Sequence, residues 1–82
     1  MAVLVRYYAA AAEAAGAEEE RLDLPAPLPL ARLVEDLGRR HGPDLARVLG
    51  ACSFLLDATS AEGAAVVADG ATLDVLPPFA GG

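Results

Sequence analysis

Short blocks of hydrophobic residues recur along this chain with two different spacings. Residues 2–8 are β-branched and aromatic, which predicts a first strand. The apolar positions of this block do not alternate cleanly, as is typical of a central strand buried on both faces. The alanine-rich residues 9–15 predict a helix, and Gly16 is placed to end it.

A block of charged residues separates this helix from the next hydrophobic segment. Residues 18–24 predict an edge strand that turns Leu22 and Leu24 inward. The three glutamates at 18–20 are interpreted as a solvated edge, whose charges discourage pairing with another strand.

The longest amphipathic segment predicts the main helix, which begins at Pro29 or Leu30 and ends before Gly42. Its core-facing positions, spaced i, i+3, i+4, i+7 and i+11, are Leu30, Leu33, Val34, Leu37 and His41. A similar spacing predicts a short second helix, with Asp44 as its N-cap. The core-facing positions of that helix are Leu45, Val48, Leu49 and Cys52.

The rest of the chain predicts strands joined by tight connections. Residues 53–57, 64–67 and 72–77 have strand patterns, residues 59–63 are expected to form a loop, and Asp69-Gly70 is a turn signal. The order of elements predicts an α+β roll, in which one sheet is crossed by one main helix. We expect a single domain over residues 1–82.

The composition limits the partners and the compartment. The net charge is −6 and the sequence pI is near 4.4, which excludes nucleic acid and anionic membranes as partners and favours basic protein surfaces. The single cysteine fits a reducing compartment. No stretch has the roughly 18 uncharged residues that a membrane span needs. We therefore expect a cytoplasmic protein.

The chain contains no lysine, and its six cationic side chains are all arginines. If the C-terminal carboxylate is activated as an acyl donor, no side-chain amine of this chain can accept it. Polymers linked as in ubiquitin chains are therefore excluded, and only the amine of Met1 is left.

The usual catalytic constellations are absent from the sequence. The one histidine, His41, is interpreted as a residue at a helix C-terminus rather than as a catalytic base. The one cysteine, Cys52, is in register with core positions, which favours packing over nucleophilic chemistry. One histidine and one cysteine cannot make a structural zinc site, so we expect no bound metal.

The predicted last strand suggests a docking patch. Leu73 and Val75 share one face, and Asp74 and Leu76 share the other. If Asp74 marks the solvent face, Leu76 is exposed beside the end of the chain. Together with Phe79 it would form an apolar contact surface for a partner.

The sequence ends with two prolines, an aromatic residue and three residues with little or no side chain. These residues are Pro77, Pro78, Phe79, Ala80, Gly81 and Gly82. The prolines end the sheet and stiffen the exit, and residues 78–82 are expected to form a flexible tail. Such a tail can thread a narrow cleft and present the Gly82 carboxylate there. Once this carboxylate is adenylated with ATP, sulfide gives a thiocarboxylate, a thiol a thioester and an amine an amide.

Two segments of the sequence resemble the ubiquitin-like sulfur-carrier family of the MoaD/ThiS type, and most closely the small subunit of molybdopterin synthase. These segments are the opening Val3-Leu4-Val5-Arg6-Tyr7-Tyr8-Ala9 and the ending Leu76-Pro77-Pro78-Phe79-Ala80-Gly81-Gly82. The resemblance implies a ubiquitin-like β-grasp fold, with a mixed sheet of about five strands and one main helix. A thiazole-synthesis carrier typically lacks the second helix predicted after Asp44.

The resemblance also implies a mechanism and a set of partners. An E1-like adenylyltransferase would activate Gly82 with ATP and Mg, and a sulfurtransferase would supply sulfur for the Gly82 thiocarboxylate. The tail would then enter the large catalytic subunit of molybdopterin synthase and donate sulfur to cyclic pyranopterin monophosphate. In this scheme Gly82 carries the acyl group, Gly81 gives clearance, and Leu76 and Phe79 contact partners. The chain binds no cofactor and is not catalytic alone.

Three alternatives stay open at this point. The chain could serve as sulfur carrier for cysteine or thiamine biosynthesis, or as a ubiquitin-like modifier joined to lysines of other proteins. It could also be a β-grasp binding module whose Gly82 is chemically idle. Conjugates that resist thiol and hydroxylamine would favour the modifier, and full activity without Gly82 would favour the binding module.

Overall fold

A computed structural model describes residues 1–78 and contains seven strands and three helices in that range. The strands are β1 (Ala2–Tyr7), β2 (Glu19–Asp23), β3 (Leu28–Pro29), β4 (Ser53–Leu56), β5 (Thr59–Ala61), β6 (Val66–Val67) and β7 (Thr72–Leu76). The helices are α1 (Ala10–Ala15), α2 (Leu30–His41) and α3 (Pro43–Leu49).

Five strands form one mixed sheet in the order β2-β1-β7-β4-β5. β1 and β7 are parallel, with Leu4 opposite Thr72 and Tyr7 opposite Val75, and the other neighbours are antiparallel. β3 and β6 make a separate two-stranded pair. The predicted architecture of one mixed sheet with one main helix is therefore confirmed, and its central strand is the last one in the sequence.

The hydrophobic core lies between α2 and one face of the sheet. The inward side chains of α2 are those of the predicted stripe, and Leu30, Leu33 and Leu37 are fully buried. Leu73 and Val75 of β7 meet them with no exposed surface. Helix α2 and strand β7 thus have the faces that their periodicities predict.

The first strand differs from its prediction in one respect. Val3, Val5 and Tyr7 are buried, but Ala2 and Arg6 on the other face are exposed. β1 is an interior strand between β2 and β7, yet only the face that carries Val3, Val5 and Tyr7 is buried. The expectation of burial on both faces was wrong because hydrophobic residues also occur on the uncovered outer face.

The predicted loop at 59–63 begins as a strand. β4 turns into β5 through Asp57 and Ala58, whose φ values of 50° and 66° are both positive. Two positive φ values in a two-residue connection are the geometry of a type I′ turn, which closes a hairpin. Aspartate is common in such turns but alanine is not, so Asp57 and Ala58 gave no clear hairpin signal in the sequence.

The short helix α3 is capped differently from the prediction. It has Gly42 at the N-cap and Pro43 in the first turn, and Asp44 lies within that turn without capping it. The two helices pack closely, since a Cβ added at Gly38 would lie 3.2 Å from the Cβ of Ala46. Within residues 1–78, no helix is long and apolar enough to cross a membrane.

Candidate functional site at the root of the tail

Strand β7 positions the end of the chain. It is bonded to β1 on one side and to β4 on the other, so Leu76 leaves the sheet from its middle. Leu76 and Pro77 are half-buried and Pro78 is exposed. The root of the tail is therefore attached to the part of the sheet that has the most backbone pairing.

A mainly apolar groove of about 600 Å³ lies beside this root. One wall comes from the end of β1 and from α1, and the other comes from the predicted docking residues. The lining residues are Tyr8, Ala9, Ala10, Glu13, Leu76, Pro77 and Pro78. Tyr8 is the largest exposed residue among them, with 41% of its surface exposed. The groove can accept an apolar side chain from a partner, with one carboxylate nearby.

A strained turn holds Tyr8 in this position. The amide of Ala11 donates to the carbonyl of Tyr8 at 3.0 Å, which closes a tight turn around Ala9. Ala9 has φ 49° and ψ −125°, close to the glycine-favoured first central position of a type II′ turn. The Tyr8 amide also donates to the Val75 carbonyl at 3.3 Å, and this bond ties the turn to β7. Residues in such conformations are often found at functional sites.

An ion pair occupies the outer face of the sheet near the groove. Arg6 Nε donates to Asp74 Oδ1 at 2.6 Å, and Arg6 Nη2 donates to Asp74 Oδ2 at 3.1 Å. The Asp74 side chain is only 9% exposed. Asp74 does share a face with Leu76 as predicted, but it does not mark a solvated position. The hydrogen bond and the charge of Asp74 raise the pKa of Arg6.

A second polar cluster joins β1, β2 and the end of α2. The Tyr7 hydroxyl donates to Glu20 Oε1 at 2.5 Å, and His41 Nε2 lies 2.6 Å from the same oxygen. Burial raises the pKa of Glu20, but the hydrogen bonds from Tyr7 and His41 outweigh it and hold the pKa below its usual value. Burial and the bond to Glu20 raise the pKa of Tyr7. Glu20 is thus a partner of these residues, although the sequence suggested a solvated edge.

The Cys52 thiol lies in a structural environment and not in a reactive one. Cys52 Sγ donates to the Val48 carbonyl at 3.2 Å, and burial raises the pKa of the thiol. This agrees with the predicted packing role. Among residues 1–78, no three side chains of His, Cys, Asp or Glu are grouped as metal ligands would be.

The structure brings together only part of the predicted site. Leu76, Pro77 and Pro78 line one groove, whereas Phe79, Ala80, Gly81 and Gly82 lie outside the described residues. Sequence reasoning missed the opposite wall, formed by Tyr8, Ala9, Ala10 and Glu13. The sequence does place Tyr8 at the end of the first predicted strand, which hints at a surface position. The residues that surround Tyr8, however, depend on the parallel β1–β7 pairing.

The match to a protein-family model extends over residues 5–82, and the model is that of the ThiS family. The chain belongs to the ThiS family. A comparison with curated proteins gives no match.

Solved structures of ubiquitin-like proteins share the fold. SAMP1 from Haloferax volcanii is 26% identical, with a TM-score of 0.85 over 100% of both chains. A chain from the complex of subunits 1 and 2 of the molybdopterin-converting factor of Helicobacter pylori is 20% identical, with a TM-score of 0.68 over 100% of both. Urm1 from Trypanosoma brucei is 20% identical, with a TM-score of 0.78 over 99% of this chain and 95% of that one. The ubiquitin-like β-grasp fold is thus confirmed for this ThiS-family chain.

Proposed function

We propose that this ThiS-family chain is a sulfur carrier whose Gly82 carboxylate is adenylated and converted to a thiocarboxylate. The observation that carries the proposal is the family match, which runs through the tail to Gly82. The groove beside Leu76, Pro77 and Pro78 supports it, because a partner that takes the tail also needs a surface to hold its root.

The chemistry divides between this chain and its partners. An E1-like adenylyltransferase would use ATP and Mg to form the Gly82 acyl-adenylate and release pyrophosphate. A persulfide on a sulfurtransferase would then displace AMP, and reduction of the resulting acyl disulfide by a thiol would leave the thiocarboxylate. The chain supplies the acyl group and the docking surface, with Phe79 as a further anchor. Gly81 has no side chain, so the backbone next to Gly82 can enter a narrow cleft.

We assign the sulfur acceptor as cyclic pyranopterin monophosphate, in molybdopterin synthesis. The Helicobacter pylori relative, whose subunit 1 is in complex with subunit 2 of the molybdopterin-converting factor, supports this assignment. The chain would then work as the small subunit beside a large catalytic subunit, with its tail in the active site of that subunit. Other sulfur acceptors, in cysteine or thiamine biosynthesis, fit the same tail chemistry.

A second candidate function is protein modification. The similarity to SAMP1 of Haloferax volcanii favours it. A second solved structure names this relative small archaeal modifier protein 1. In that reaction a lysine amine of a target protein would displace AMP from Gly82 and form an amide.

The test is the intact mass of the chain after incubation with ATP, the cognate adenylating enzyme and a sulfur donor. We expect a mass gain equal to the replacement of one oxygen by sulfur, and no gain in a variant that lacks Gly82. Adding the cognate large subunit and cyclic pyranopterin monophosphate should then return the original mass and yield molybdopterin.

Three outcomes would contradict parts of this proposal. Full activity of the variant without Gly82 would overturn the carrier function and favour a binding module. A thiocarboxylate that forms but is not consumed with the pterin precursor would move the assignment to another acceptor. Conjugates that resist thiol and hydroxylamine would favour the modifier.

A further inference from the structure

The fold holds the α-amino group of Met1 in place. This group donates to the carbonyl oxygen of Leu24 at 2.7 Å and lies 3.5 Å from Asp23 Oδ1. The Met1 side chain is only 7% exposed and packs against the hydrophobic core. Because the amine donates to the Leu24 carbonyl and the Met1 side chain packs against the core, we expect the amine to react as a nucleophile more slowly than an unattached terminal amine.

The next backbone nitrogen is held in a similar way. Ala2 N, which becomes the free amine if Met1 is removed, donates to Asp69 Oδ1 at 2.8 Å. The carboxylate that receives this bond would then pair with a charged amine, and charge-assisted bonds are stronger than neutral ones. Removal of Met1 therefore exchanges one engaged amine for another.

The amine also lies at the end of the sheet opposite the tail. In the parallel β1–β7 register Tyr7 faces Val75, so Met1 lies seven residues along the first strand from the position level with Leu76. At about 3.3 Å per residue this is about 23 Å along the sheet. The six residues 77–82 span at most about 21 Å when fully extended. The tail could approach its own amine only when fully extended back along the sheet.

The one thiol of the chain is also withheld. Cys52 Sγ donates to the Val48 carbonyl in the last turn of α3, and Cys52 is half-buried against the core. Burial raises the pKa of this thiol, so the reactive thiolate is disfavoured.

From these contacts, and on the basis of the proposed activation of Gly82, we infer that the fold withholds the chain's own amine and thiol from its activated end. The carrier donates only to other molecules, and as a modifier it would be added as a single unit. The excluded reaction is attack of the Met1 nitrogen of one chain on the Gly82 carbonyl carbon of another. In it the C–N bond forms, the C–O bond to AMP breaks, AMP leaves with the electron pair, and the amine proton passes to water.

The first experiment measures the amine directly and needs no partner enzyme. Because the chain has no lysine, the terminal amine is the one amine that an N-hydroxysuccinimide ester can label. Treatment with hydroxylamine then removes any label from hydroxyl groups. We expect the native chain to be labelled at least about tenfold more slowly than the same chain in denaturant at equal pH. A variant with Gly-Ser-Gly-Ser added before Met1 should react at the denatured rate. Equal rates for the native and denatured chain would overturn the inference.

The second experiment follows the activated chain. With ATP and the cognate adenylating enzyme, capture of Gly82 by hydroxylamine reports activation, and its absence would count against the proposed function instead. Without hydroxylamine, we expect no chain dimer from the unaltered protein and dimer from the extended variant. Arg39→Lys, on a side chain that is 69% exposed, supplies a lysine acceptor as control. A Gly82–Met1 amide in the unaltered protein, or equal dimer from the extended variant, would overturn the inference.

Discussion

Arg6 and Asp74 form a two-bond ion pair across the parallel β1–β7 pair, and its two members differ in exposure. The Arg6 side chain is 44% exposed, whereas that of Asp74 is 9% exposed. The carboxylate therefore depends on the pair for solvation, while the guanidinium can still contact water. An unpaired buried charge is more costly than an unpaired charge in water.

We therefore expect the two single substitutions to have unequal effects. Arg6→Met leaves a buried carboxylate unpaired and should lower the free energy of unfolding more than Asp74→Asn, which leaves a solvated guanidinium. The double variant Arg6→Met/Asp74→Leu should recover much of the loss, because no buried charge remains. Urea denaturation of the four proteins measures this order, and a larger loss in Asp74→Asn would contradict it.

The groove at the tail root gives a prediction about partner binding. Tyr8→Ser and Leu76→Ser should each weaken binding to the cognate adenylating enzyme by about tenfold or more, because apolar anchors dominate such interfaces. Val66→Ser is the matched control, since Val66 is 62% exposed but lies on the small β3–β6 pair. Titration calorimetry gives the affinities. Equal effects at all three positions would remove the groove from the interface.

The cluster of Tyr7, Glu20 and His41 gives a prediction about pH. Its hydrogen bonds lower the pKa of Glu20 in the folded state, so their stabilisation is present above the unfolded-state pKa and is lost as pH falls through the folded-state pKa. Tyr7→Phe removes one donor and should cost about 1 kcal/mol near neutral pH.

The cost of Tyr7→Phe should shrink as Glu20 becomes protonated. Urea denaturation between about pH 7 and about pH 3 checks this, across the range in which a carboxyl group titrates. Tyr8→Phe is the control, because the Tyr8 side chain is exposed and lies outside the cluster. A cost of Tyr7→Phe that stays constant over this range would mean that the hydroxyl does not act through the Glu20 carboxylate.

The β4–β5 hairpin predicts a substitution that stabilises the protein. Ala58→Gly should raise the free energy of unfolding by about 0.5–1 kcal/mol, because Ala58 has φ 66° and glycine adopts this conformation without a Cβ penalty. Ala26→Gly, at an exposed loop position without a positive φ, should be slightly destabilising instead. Thermal denaturation distinguishes the two. A loss of stability in Ala58→Gly would contradict the assignment of the turn.

The fold was predictable where local periodicity decides the structure. Helix α2 follows from its stripe of apolar residues, and α1 ends at Gly16, which has the left-handed conformation that glycine favours there. The inward face of β7 follows from strict alternation at Leu73 and Val75. These features need only the spacing of residues within one segment.

The site was less predictable because its contacts join distant segments. Glu20 lies among charged neighbours in the sequence, and only the folded structure places it between Tyr7 and His41. The backbone conformation of Ala9 is one that alanine rarely adopts, so no propensity signals it. Tyr8 meets Leu76 only because a strand from one end of the sequence pairs with a strand from the other.

The central place of β7 also bears on how the protein folds. β1 and β4 each lie beside β7 and not beside each other, so a chain without residues 72–76 would keep two hairpin-like halves with no strand to join them. Such a sheet closes only after contacts across nearly the whole sequence have formed, which makes partial folding unfavourable. The strand that completes the molecule is also the one that leads into the tail. A partner that grips this strand's end would thereby select folded molecules and reject incomplete ones.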